Sequence, residues 1–273
     1  MFDDAVLQEL VSAAPVFLLI AVRAFAMIQI APLLSSEAIP QLAKVSLAGF
    51  AAYSSFTTAL ISDWNIAPFG LNFLFLVIGE AIIGIIIGFF LVIIFAAFAT
   101  AGQFFSLQMG FGASEAFDPL SQVENPLLGQ YLNLVAMLVF VTIGGFTQLF
   151  LGGFWRSLQS ISVISLVSGK DHIVSMVLLG LSRLFFDAII IAMPILGTLF
   201  LVSLTTGLIS KAAPQINILS EGFPISISVA FFVLYTSLPF MTEVFSRIVG
   251  SGFETLQNLY IQIGDRISEG GVL

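Results

Sequence analysis

Among the charged residues inside runs that are otherwise apolar, Arg23, Glu80, Arg183 and Asp187 are where this sequence could do chemistry. A charge held at mid-membrane costs about 3 kcal/mol or more, so such side chains face protein or water. Glu80, Gly84 and Gly88 fall at i, i+4 and i+8 and share one helix face. Glycines at that spacing let a second helix approach closely, and the carboxylate can hydrogen-bond across the contact. Two readings stay open for Glu80: a proton-responsive gating group, or a packing stripe with one buried polar bond. Arg183 and Asp187 are also i, i+4 neighbours and can neutralise one another, as a proton relay or as a structural ion pair. Arg23 has no acid within a turn. Its expected mate lies on another helix or another chain, failing which it snorkels to the interface, and the overall reading expects such groups to be satisfied by neighbouring polypeptides.

Other chemistry is largely excluded. The chain has no cysteine and one histidine, His172, so it has no disulfide framework, thiolate metal site or His cluster. A Ser/His intramembrane hydrolase needs its histidine at depth, yet His172 follows Lys170 and Asp171 in an expected loop. An aspartyl counterpart needs two intramembrane aspartates, and only Asp187 qualifies. No catalytic, cofactor-binding or metal site is expected, and no cofactor. A formal net charge of -8 opposes nucleic-acid binding.

The elements that must position these residues are membrane helices. Hydrophobic residues make up 59% and charged residues 9% of the 273, with mean hydropathy +1.11, against roughly a quarter charged in soluble domains. Apolar stretches run over 13–34, 42–61, 71–101, 127–151, 173–209 and 223–245, each about the 20 residues that span a hydrocarbon core of about 30 Å. Lipid leaves backbone groups without partners, so helices are the default. The alternation of a β-barrel is missing. The N-terminus shows no basic segment before the first apolar run, so that run is expected to be retained.

Orientation is less simple. No basic residue lies between Lys44 and Arg156, while Asp63, Glu80, Glu115, Asp118 and Glu124 do. By the positive-inside bias the loops 62–68 and 113–126 both read as non-cytoplasmic, which a single span between them cannot satisfy. A re-entrant second loop resolves the conflict, because irregular backbone at membrane depth is tolerated where it lines a protein cavity.

Two further segments stand out. From Ala101 to Pro119 the chain carries Phe104, Phe105, Met109, Phe111 and Phe117 among glycines. Glycine permits tight or left-handed backbone, and Pro119 and Pro126 oppose helix continuation. Flat and soft side chains so placed can pack together and reopen, which suits a hydrophobic constriction that gates by excluding water; an aromatic belt or ordinary packing is the alternative. Further on, the run 207–217 interrupts an apolar stretch, and Pro214 biases Ala213 away from the helical region. Gly222 and Pro224 punctuate again, so a polar hinge with Lys211, Pro214, Gln215 and Asn217 at its tip joins two hydrophobic arms.

Gly207-Leu208, Lys211, Ala213-Pro214-Gln215-Ile216-Asn217 and Gly222-Phe223-Pro224 resemble the signature of the FliR family, whose injectisome relatives are the SctT export-gate proteins. The remaining matches keep the family order: Arg23 with Pro32, Ile39 to Lys44, Gly79 to Gly84 with Gly88, Ala101-Gly102, Gln108-Met109-Gly110, Asp118-Pro119 and Ala192-Met193-Pro194. Lys211 stands where members often have arginine, losing the planar fork. Gly145-Phe146 replaces a frequent Gly-His pair. Phe223-Pro224, in place of the injectisome branch's Met-Pro, tilts the resemblance toward the flagellar branch.

The resemblance implies an all-α membrane protein of long helices and hairpins, built to pack in a helical hetero-oligomer. Residues 1–170 would be FliP-like, including a plug loop near 102–125, and residues 171–273 a FliQ-like hairpin with its tip near 207–222. It implies a non-enzymatic structural subunit of the flagellar type III export gate in the bacterial cytoplasmic membrane. With FliP-like and FliQ-like subunits, and FlhB-like and FlhA-like components nearby, it would form the entry pore for unfolded substrates and a core for rod assembly. A virulence secretion gate is the nearest alternative. A secondary transporter would show an internal repeat of several spans, and none is evident.

Overall fold

The computed structural model describes residues 4–59, 70–110, 127–163, 170–213 and 218–270. These form helices, with no strand among the described residues. In chain order they are α1 (Asp4–Ile30), α2 (Gln41–Ala59), α3 (Leu71–Met109), α4 (Leu127–Thr142), α5 (Gly145–Ser160), α6 (Lys170–Ala212) and α7 (Ile218–Gly270). Among the described residues four helices are long and apolar enough to cross a membrane: α1, α3, α6 and α7; α4 with α5 adds a fifth if the pair counts as one broken crossing.

The apolar stretches therefore survive with corrections. Stretch 42–61 becomes α2, which is not among those helices, because Lys44, Ser46, Ser54, Ser55, Thr57 and Thr58 dilute its apolar character. Stretch 127–151 breaks at Gly144, whose φ of 73° is a left-handed conformation that glycine adopts without a Cβ clash. The middle of α5, Gln148–Trp155, is a π-helix. Such wide turns are rare and are frequently found at functional sites.

Three helices run well past the length a bilayer core needs, at 39 residues in α3, 43 in α6 and 53 in α7. The expected second break at Gly222 and Pro224 is absent, since both lie inside α7. A proline in a helix interior removes one backbone bond, and membrane helices absorb that loss. The break before Pro214 does occur: α6 stops at Ala212, and the Ala213 N–H closes on the Ile209 carbonyl at 2.8 Å. The loops 62–68 and 113–126, on which the topology reading turned, lie outside the described residues.

The helices gather into two compact units, residues 1–93 with 144–180 and 250–273, and residues 94–143 with 181–249. In the first, α1 buries Leu19, Ile20, Arg23, Met27 and Ile28, at the spacing of one helix face. In the second, Phe98 meets Phe245 edge-on with ring centres 4.5 Å apart, and Phe95 stands edge-on to both Phe140 and Phe245. Edge-to-face pairs of this kind place a positive ring edge on a negative face.

Candidate functional site

The first unit is organised around one buried cation. Arg23 on α1 is wholly buried, and each of its three guanidinium nitrogens donates a hydrogen bond. Nε donates to Glu80 Oε2 on α3 at 2.5 Å, Nη1 to Ser157 Oγ on α5 at 3.0 Å, and Nη2 to the Ile161 carbonyl at 3.1 Å. The Ser157 hydroxyl in turn donates a hydrogen bond to the Phe154 carbonyl at 2.6 Å. The Ile161 contact places a positive charge just past the end of α5, where helix carbonyls lack partners. The charge is thus matched within the unit and supported by two further hydrogen bonds, which favours persistence of a buried ion pair.

Of the mates expected for Arg23, on another helix, on another chain or at the interface, it is other helices that supply them. Its mates are in the same chain, 57 to 138 positions away, beyond what helical spacing can reveal. Lys44 behaves likewise, buried and donating to the Ser35 carbonyl at 2.9 Å.

Gly84 and Gly88 complete the α1 and α3 contact. A Cβ on Gly84 would collide with the Arg23 carbonyl, and one on Gly88 would lie 2.9 Å from both the Met27 carbonyl and the Ile30 Cβ. The stripe that carries Glu80 therefore lies directly against the backbone that carries Arg23. A second polar contact supports the π-helix: the Tyr260 hydroxyl on α7 donates to the Gly153 carbonyl at 3.0 Å. Neither Tyr260 nor Ser157 was singled out from sequence. The Gly152-Gly153 pair in an apolar run was the only signal of an unusual helix there.

The second unit holds the other charged pair. Arg183 Nε and Asp187 Oδ2 of α6 are 3.9 Å apart, the arginine side chain 55% exposed and the aspartate largely covered. Lys211 is exposed in the last turn of α6. Pro214, Gln215 and Asn217 lie outside the described residues.

The segment expected to form a plug loop from residue 102 begins as helix. Residues 102–109 are the last two turns of α3; Phe105 and Met109 are buried, and Phe104 is half-buried. Gly102 sits against Gly129 of α4, where an added Cβ would lie 2.5 Å from the Gly129 Cα. Any loop starts at Gly110, whose φ of 93° ends the helix and whose missing side chain makes room for the Phe223 ring. Phe111 and Phe117 lie outside the described residues. Among the described residues no three His, Asp or Glu side chains gather as a metal site would require.

Residues 14–252 match the family described as bacterial export proteins, family 1. The flagellar biosynthetic protein FliR of Bacillus subtilis is 27% identical over 260 residues, covering 94% of this chain and 99% of that one. FliR of Borreliella burgdorferi is 31% identical over 198 residues, 72% of this chain and 73% of that one. The surface presentation of antigens protein SpaR of Shigella sonnei is 30% identical over 162 residues, 59% of this chain and 61% of that one.

Proposed function

The chain belongs to the bacterial export proteins of family 1 and is a membrane-embedded component of the flagellar export apparatus, and from that premise we propose that it is a structural subunit of the export gate. In this reading FliP-like and FliQ-like subunits surround it, and together they form the entry pore through which unfolded flagellar proteins leave. FlhB-like and FlhA-like components lie close by. The assembly sits in the cytoplasmic membrane within the basal body and is a core on which the rod is built. Residues 1–170 take the FliP-like role and 171–273 that of the FliQ-like hairpin.

One observation carries the partner reading. On α6, Arg183 is exposed amid Leu178, Leu179, Phe185 and Phe186, which are exposed too. Hydrocarbon around a half-exposed ion pair is costly, whereas unlike subunits cover apolar and charged groups together. Extraction in mild detergent with the companions identified by mass tests this. Copurification of two unlike small membrane subunits is expected; a well-behaved monomer free of companions overturns the proposal. Deleting the chain is expected to abolish filaments while the membrane potential stays intact.

SpaR's similarity favours a second reading, a gate for virulence secretion. The deletion separates the two, since a virulence gate leaves motility untouched.

A further inference from the structure

An open pocket of about 720 Å³ lies in the first unit between α5 and the C-terminal part of α7, and none of the contacts described above uses it. Gln148, Gly152, Trp155 and Arg156 line it from α5, and Glu254 and Gln257 from α7. Gly152 contributes no side chain to it; an added Cβ would already be in van der Waals contact with Gln257 Nε2, at 3.5 Å.

Its chemistry is specific. Arg156 and Glu254 are both exposed, and among the described residues neither side chain makes a hydrogen bond or ion pair. Opposite charges that line one pocket without neutralising each other suit a ligand that carries both signs. Gln148 Oε1 is buried without a hydrogen-bond partner among the described residues, and such an acceptor calls for an N–H or O–H donor. The indole face of Trp155 can hold an ammonium group, and the Arg156 fork suits a phosphate.

Depth adds a further constraint. The apolar run 223–245 of α7 supplies about the 20 residues that a hydrocarbon core needs. The pocket begins at Gly250, a turn or so beyond that run and toward the C-terminal end of the candidate crossing 222–262, and tryptophan, here Trp155, is enriched at membrane–water interfaces. Leu151 at its edge is exposed and gives acyl chains an apolar way out.

We propose that this pocket binds the headgroup of a zwitterionic phospholipid with a primary ammonium, a phosphoethanolamine lipid. Arg156 takes the phosphate, while Glu254 and Gln148 Oε1 accept N–H bonds from the ammonium over Trp155. A phosphocholine headgroup has no N–H to give Gln148, and a phosphoglycerol headgroup brings an anion to Glu254 without a cation.

Native mass spectrometry of the full chain, extracted with its companions and offered equimolar phosphatidylethanolamine, phosphatidylcholine and phosphatidylglycerol with identical acyl chains, tests this. The ethanolamine lipid is expected to be retained about tenfold over the others, and Arg156→Ala or Glu254→Ala each to lower its retention about tenfold, the effect of one charge-assisted bond. Equal retention of the three lipids in the unmodified chain overturns the proposal, as does retention that both substitutions leave unchanged. Glu254→Cys places a single thiol in a chain without cysteine; its crosslinking to a protein companion also overturns it.

Discussion

Arg23 on α1 and Glu80 on α3 meet at 2.5 Å with both side chains buried. The pair spans 57 positions of sequence, and the remaining arginine donors reach α5 and the carbonyl just beyond it. One side chain thereby fixes three helices relative to one another.

Glu80→Gln keeps the shape of that contact while leaving the Arg23 charge without a counter-ion. Breaking one side of a buried pair costs about 3–5 kcal/mol, so a lower steady-state level in membranes and a lower unfolding midpoint are expected. Replacing both Arg23 and Glu80 by methionine removes the stranded charge and is expected to recover most of the loss. Export by the remaining Glu80→Gln protein separates the two readings of this carboxylate. Undiminished transport at every pH removes a proton-responsive role, and a loss confined to one pH range supports it.

Gly84→Leu is expected to force α1 away from α3, because its first side-chain atom already meets the Arg23 carbonyl. Backbone cannot yield as a flexible side chain does, so a loss comparable to that of Glu80→Gln is expected. Gly49→Ala is the control. Nothing lies within 4 Å of a Cβ there, and the position is inside α2, so stability is expected to hold or rise by about 0.5–1 kcal/mol. Urea unfolding of the detergent-solubilised chain measures both, and equal effects from the two substitutions would contradict the close-approach account.

What the sequence makes legible here is what depends on near neighbours. The face shared by Glu80, Gly84 and Gly88, the Arg183 and Asp187 pair, and the end of α6 before Pro214 are all set within about two helical turns, so spacing reveals them. The mates of Arg23 lie beyond that reach: they come together only when α1, α3 and α5 pack, and no periodicity encodes that packing. Residues 102–109 show the complementary failure. Gly102 and the glycines that follow at 110 and 112 suggest irregular backbone, yet Gly102 is there to admit Gly129, and the helix continues until Gly110 turns left-handed.

The proposed plug is tested by conductance. Phe111→Gly is expected to make the assembled gate leak small ions, since a constriction that excludes water depends on bulky apolar groups. Met109→Gly is expected to leak and also to destabilise, because Met109 is buried at the end of α3 and removing such a side chain costs about 2–5 kcal/mol. A tight seal in both mutants, with the assemblies intact, argues against a plug in this segment.

Asp187→Asn asks what covers α6. The substitution leaves Arg183 without its i, i+4 counter-charge, but Arg183 is half-exposed, so the isolated fold has little to lose; surface pairs contribute about 0–1 kcal/mol. If unlike subunits cover this face, they close over an arginine that has lost its Asp187 counter-charge, and the same substitution costs several kcal/mol at the interface. The expected outcome is a normal amount of chain in the membrane with companions lost on extraction. Asp187→Glu, which restores the charge one methylene further out, is expected to retain them. Loss of the chain itself, with companions still bound to what remains, would instead place the pair among the groups that hold the fold together.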